Sequence, residues 1–101
     1  MSFTSLITFR VARGRSAEFE EAFTRAGMLT RPRALAGYHG AELHRGIEDP
    51  QTYIVVGHWD SVEAYRQWQA RSLDHTPDLE RLLDTLIDPQ PGQLYEPVAS
   101  G

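Results

Sequence analysis

The chain has no cysteine and no lysine, and each absence closes off a class of chemistry. Without cysteine there is no disulfide, no thiolate metal ligand and no sulfur nucleophile. Without lysine there is no Schiff base, which removes one route of covalent catalysis. The ten basic residues are all arginine and are outnumbered by 14 acidic ones; the net charge of −4 argues against a nucleic-acid binder or a basic membrane-surface protein. No apolar run has the form of a signal peptide or approaches the ~20 residues that span a bilayer, so the expected location is cytoplasmic. The four histidines, His39, His44, His58 and His75, include no pair at the i, i+4 spacing of a helical zinc motif, and no Gly-rich nucleotide loop is present. No metal and no cofactor are therefore expected. There is also no internal repeat, linker or low-complexity segment, and 101 residues hold one core, so residues 1–101 are read as a single domain. A domain of this size buries a modest share of its surface, which makes oligomerisation a natural supplement.

What is present is concentrated between Leu43 and Trp68. Glu48-Asp49-Pro50-Gln51 is a turn, in which proline presets φ and Asp49 can bond nearby backbone. Tyr53 to Trp59 is rich in β-branched and aromatic residues, as a buried strand is. Asp60 or Ser61 can then cap a helix, with Glu63 three residues after Asp60 as in a capping box. On that helix Ser61, Ala64, Tyr65, Trp68 and Ser72 share a face, while Glu63, Arg66 and Gln67 point away. Trp59, Tyr65 and Trp68 are thus placed to converge where strand meets helix.

The remaining elements follow from the same signals. Phe3 to Val11 alternates as a first strand. Ser16 can cap a helix whose early acids Glu18, Glu20 and Glu21 suit its N-terminus, with Phe19, Ala22, Phe23 and Ala26 as its buried face. That helix is expected to fail near Arg31-Pro32. Gly37 to Ile47 and Thr52 to Trp59 form a hairpin, and the second helix runs from about Ser61 to Ser72. A short further helix starts at Thr76 with Pro77 at its first position, presents Leu79, Leu82, Leu83 and Leu86, and stops at Asp88-Pro89. Gln93 to Val98 is the last strand. The expected fold class is α+β, a ferredoxin-like βαββαβ order with one extra short helix before the last strand and an antiparallel sheet covered by helices on one face. In the third strand Tyr53, Val55, Gly57 and Trp59 point to one side, and Ile54, Val56 and His58 to the other. A strand apolar on both faces of a one-layer sheet needs a second cover, and a second copy of the same sheet supplies it. A homodimer is the expectation.

Two stretches, G-Y-x-G-A-E-L-H-R-x-x-E-D-P from Gly37 and W-D-S-x-E-A-Y from Trp59, followed by a helix bearing Trp68, resemble the antibiotic biosynthesis monooxygenase family over about residues 3–98. The resemblance implies a dimeric α+β barrel. In members that oxidise anthrones to quinones without a cofactor, a Trp and a Tyr matching Trp59 and Tyr65 lie in the active site, and an Asn stands where this chain has Val55. The haem-degrading branch has a Trp matching Trp68, an Asn where this chain has Ile7, and an iron-ligating His about three residues beyond His75.

The candidate catalytic residues are His75, as a general base titrating near neutrality, Tyr65, as a polar handle on the ligand, and Trp59. Trp68, Val55, Ile7, Phe23 and Arg81 are the candidate substrate-binding residues, with Arg81 placed to hold an oxyanion at the rim and Met28 and Leu29 near it. The aromatic group admits two readings, ordinary core packing or the lining of a cavity for a flat aromatic ligand. His58 is read as a structural hydrogen-bonder on the dimer face, and Glu42 has no partner visible in the sequence. Three functions compete. The first is a small cofactor-independent monooxygenase using O2 on an aromatic polyketide-like substrate. The second is a cyclase with the same pocket, and the third a non-catalytic dimeric ligand-binding module.

Overall fold

The computed structural model describes residues 2–72 and 76–101. Its elements are β1 (Phe3–Val11), α1 (Ser16–Arg25), a 3-10 turn (Arg31–Ala34), β2 (Tyr38–Arg45), β3 (Thr52–Trp59), α2 (Val62–Arg71), α3 (Pro77–Asp84), β4 (Leu86–Ile87) and β5 (Gln93–Tyr95). The fold is α+β with an antiparallel sheet. β3 lies between β2 and β1, and both short strands, β4 and β5, pair with the far edge of β1.

Register explains which side chains meet. Phe3 lies opposite Trp59, Ile7 opposite Val55 and Phe9 opposite Tyr53, all on the helix-covered side. One core cluster there joins Val11, Phe19, Ala22, Phe23, Tyr53, Leu79 and Leu82, so α1 and α3 close over the lower half of the sheet. A second joins Phe3, Trp59, Ala64, Tyr65 and Trp68 beneath α2. Each fully buried aromatic or leucine contributes on the order of 1.5–3 kcal/mol relative to exposure. Polar groups at the edge of the core are paired: the Tyr53 hydroxyl donates to Glu20 at 2.5 Å, and Glu20 also meets Arg45 at 3.3 Å. In the β2–β3 turn Asp49 accepts from the Gln51 N–H (3.2 Å) and the Thr52 hydroxyl (2.8 Å), and these bonds hold its carboxyl below the usual range.

The opposite face of the sheet has no helix over it. Leu6, Ile54 and Val56 are only half-buried there. Beside them Glu42 has found partners, His58 at 3.0 Å and His44 at 3.8 Å. The shortest extent of the chain, 19 Å, is the thickness of this sheet plus one helical layer. Among the described residues no helix is long and apolar enough to cross a membrane.

Four local expectations are corrected. Ser16 is not a cap: the N-cap position is Arg15, with no side-chain cap, and Arg15 is drawn instead to Glu18 and to Asp84 at 3.0 Å. α1 ends at Arg25 rather than near Pro32, because the chain turns through Gly27 at φ 68°, a conformation open to glycine. Asp60 does not cap α2; it binds His39 at 2.6 Å, and the Ser61 hydroxyl accepts from the Ala64 N–H at 3.1 Å. The C-terminal elements differ: α3 ends at Asp84 rather than at Asp88-Pro89, Leu86 lies in a short strand instead of on the helix face, and the last strand stops at Tyr95 rather than Val98, so that Thr4 to Leu6 pairs with Gln93–Tyr95, and Arg10 and Val11 pair with Leu86–Ile87. Between the two pieces lie Pro89 and Pro91, which have no N–H to give a ladder, and Asp88 at φ 51°.

Candidate functional site

The split in the edge strand opens a cavity of about 380 Å³ where the two core clusters meet. Its floor is Ile7 and Phe9 of β1 with Met28 from the turn after α1. Its walls follow from how the helices begin. With Ser61 setting the start of α2, Tyr65, Trp68, Gln69 and Ser72 fall at i, i+3, i+4 and i+7 and line one wall. The Thr76 hydroxyl accepts from the Leu79 N–H at 3.1 Å and starts α3 at Pro77, so that Leu79, Leu82 and Leu83, with Leu86, line the other. The excursion Pro89–Gly92 forms the mouth. No charged side chain lines the cavity among the described residues.

Tyr65 is the central polar group. Its ring is buried and meets Phe3 and Trp59 edge-on, at centroid distances of 6.5 and 5.3 Å. Burial pushes its phenol above the ordinary range, so it is a neutral donor at physiological pH and beyond. The hydroxyl makes no hydrogen bond among the described residues and lies directly against Gly92. A side chain at Gly92 would collide with it and with Ile7 Cγ1 at 2.9 Å, which is why the mouth approaches the wall so closely there.

Trp68 forms the wall beside it, and its outer support is unexpected. The Arg31 guanidinium stands 5.0 Å from the Trp68 ring centroid while donating to the Arg71 carbonyl (2.9 Å) and the Ala26 carbonyl (3.3 Å). Arg31 thereby ties the end of α1 to the end of α2 across the indole.

The structure brings together only part of the expected site. Tyr65, Trp68 and Ile7 line the cavity. Trp59 does not: its Nε1 donates to the Ser5 hydroxyl at 3.0 Å, and its ring is packed between Tyr38 at 5.0 Å and Tyr65. Of the three rings expected around one cavity, two line it, Tyr65 and Trp68, and Trp59 packs against Tyr65 from behind. Phe23 and Val55 are also away from the cavity, Phe23 fully buried among Phe9 and Phe19, and Val55 packed against the same cluster. Arg81 is on the exposed face of α3 and does not line it. His75 lies outside the described residues. Gln69, Ser72, Gln90 and Gly92 were not expected. Gln69 and Ser72 carried a signal, four and seven residues after Tyr65; the mouth residues carried none. No group of three His, Asp or Glu side chains converges as a metal site among the described residues.

A family model described as antibiotic biosynthesis monooxygenase matches residues 2–73. The chain belongs to that family. A comparison with curated proteins finds no match. Among solved structures, this family member is similar to a protein from Bordetella bronchiseptica assigned to the antibiotic biosynthesis monooxygenases, with 27% identity, a TM-score of 0.76, and 97% of this chain and 98% of that one covered. It is similar in fold to SnoaB, a cofactor-independent oxygenase from Streptomyces nogalater, at 22% identity and a TM-score of 0.71, covering 98% and 95% of the two chains. A mutant of MhuD with two manganese protoporphyrin IX molecules bound per active site has the same fold, at 20% identity and a TM-score of 0.69, with 98% and 97% covered.

Proposed function

We propose that this family member is a small cofactor-independent monooxygenase acting on an aromatic polyketide-like substrate, as a cytoplasmic homodimer of one domain. The observation that carries the reading is the apolar cavity between β1, α2 and α3, with the buried Tyr65 ring in its wall and a Tyr65 hydroxyl that makes no hydrogen bond among the described residues. Its volume of about 380 Å³ falls in the range of small-molecule pockets, about 300–1,000 Å³. Family membership and the SnoaB likeness support the reaction class. An electron-rich phenolate donates directly to O2: one oxygen atom becomes a ring carbonyl in place of a methylene, the other leaves as water with the two methylene hydrogens, and the substrate supplies all four electrons. The protein's part is to hold the ring, exclude water and donate a hydrogen bond to the oxygen where charge develops. Tyr65 fits the donor role. The proposed base is His75, since imidazole is the side chain whose ordinary pKa lies nearest neutrality.

The test incubates the purified protein with a hydroxylated anthrone, recording oxygen uptake and product mass together. A product in which a carbonyl replaces the methylene, with one O2 consumed per turnover, is expected. An isomer would convert the reading to cyclisation, and binding without turnover to a binding module. Tyr65→Phe is expected to leave thermal stability nearly unchanged and to lower kcat/KM by about tenfold, the size of one hydrogen bond of about 1.4 kcal/mol. Equal loss of stability and activity would assign Tyr65 to the core alone.

Turnover of haem is not expected. Ile7, at the floor, offers no side-chain amide, and no described lining residue is cationic to receive propionates. Hemin titration should give no stoichiometric axial-histidine Soret band, and formation of a bilin with a reductant would refute this.

A further inference from the structure

We propose that Gln69 determines ligand choice in this cavity: its carboxamide and the Tyr65 hydroxyl, one turn apart on α2, donate to two oxygens along one edge of a planar, uncharged ligand. The inference rests on the aromatic-ligand reading above and adds to it which polar groups the ligand must carry, and where.

The cavity is unequal from wall to wall. The α3 side offers only leucines, Leu79, Leu82 and Leu83, continued by Leu86. The α2 side offers every polar side chain except that of Gln90 at the mouth. Two of these polar groups are already engaged. The Ser72 hydroxyl donates to the Gln69 backbone carbonyl at 3.2 Å, and Gln90 Nε2 donates to the Asp88 carbonyl at 3.4 Å. The Tyr65 hydroxyl, the Gln69 carboxamide and the Trp68 indole N–H make no hydrogen bond among the described residues, and of these Tyr65 and Gln69 stand one turn apart on the same face of α2. Residues four apart on a helix have Cβ atoms about 5–6 Å apart, and the Gln side chain has three rotatable bonds, so the two groups can reach a ring carbonyl and a hydroxyl beside it. The third strand supplies no amide, since Val55 is packed away in the core. Among the described residues the lining offers no cation either: Arg31 is held outside by the carbonyls of Ala26 and Arg71 and by the Trp68 ring, and Arg81 is on the exposed face of α3. An anionic ligand would meet no counter-charge from these residues, whereas a neutral one loses only the hydration of its oxygens, which the two donors replace.

The experiment measures quenching of tryptophan fluorescence by three probes: anthraquinone, a dihydroxyanthraquinone whose hydroxyls flank one carbonyl, and an anthraquinone sulfonate. The unaltered protein is expected to bind the dihydroxy probe about tenfold more tightly than plain anthraquinone, and the sulfonate more weakly than either. Gln69→Leu is expected to keep its affinity for plain anthraquinone and lose most of the tenfold preference. Because Gln69 is exposed, the variant's unfolding temperature should match the parent's. An undiminished preference in Gln69→Leu overturns the role of Gln69 and leaves the aromatic pocket standing. Sulfonate binding as tight as that of the neutral probes overturns the uncharged class. Failure of all three probes to bind overturns this inference together with the reading beneath it.

Discussion

Val56→Asp is expected to yield a folded monomer at micromolar concentrations, and the unaltered chain to sediment there as the proposed dimer. Val56 lies opposite Leu6 on one neighbouring strand and opposite Glu42 on the other, at the middle of the sheet face that no helix covers. A carboxylate there enters the proposed interface beside an existing carboxylate, whose histidine partners His58 and His44 are already engaged with it. Like charges directly across strands repel. A buried charge without a partner costs several kcal/mol, and two-fold symmetry places two of them in one interface, so Kd should rise by about a thousandfold or more. Arginine at the same position would test the idea less well, because Glu42 would pair with it. Far-UV circular dichroism separates loss of association from loss of fold. Unaltered protein sedimenting as a monomer, or a variant still dimeric, removes the homodimer.

Gly92→Ala is expected to abolish most ligand binding while leaving the chain folded. The added methyl would meet the Tyr65 hydroxyl and Ile7 Cγ1 at 2.9 Å, one in the wall of the cavity and the other in its floor. Neither yields easily. The Tyr65 ring is fixed edge-on by Phe3 and Trp59, and Trp59 is itself held by Ser5. Overpacking of this kind costs about 1–3 kcal/mol in stability, and displacing the hydroxyl removes the central hydrogen-bond donor, so affinity for a hydroxyanthraquinone should fall by at least about tenfold. Thermal unfolding and fluorescence titration together check this. Parental affinity in the variant would mean that the Pro89–Gly92 segment moves outward to make room.

Strands β1 and β3, the Ser61 and Thr76 helix starts and the two-sided character of β3 were legible because each rests on local pattern. Alternation, a capping hydroxyl and a proline at the first helical position act within a few residues. The errors arose where a distant partner won. Asp60 is a plausible cap by position, but β2 brings His39 to it. Trp59 is oriented toward the helix layer as expected, yet Ser5, 54 residues away in sequence, takes its indole N–H and keeps it from the cavity. The C-terminal edge was half-legible: Asp88-Pro89 reads as the stop of the third helix, but only the pairing of Leu86–Ile87 and of Gln93–Tyr95 to β1 shows that the helix ends sooner and that a gap lies over Ile7. Gln69 was visible in principle, as it shares a helical face with Tyr65, but an amide on an amphipathic helix usually faces water and gives no warning when it lines a cavity instead.

The divided edge strand also separates two tasks that one continuous strand would have to share. Leu86–Ile87 and Gln93–Tyr95 each hold their own register on β1, so neither depends on the number of residues between them. The intervening turn is free to lengthen, shorten or change composition while both anchors stay in place, and every such change alters the entrance. In this architecture the choice of guest is adjustable without renegotiating the frame that holds it.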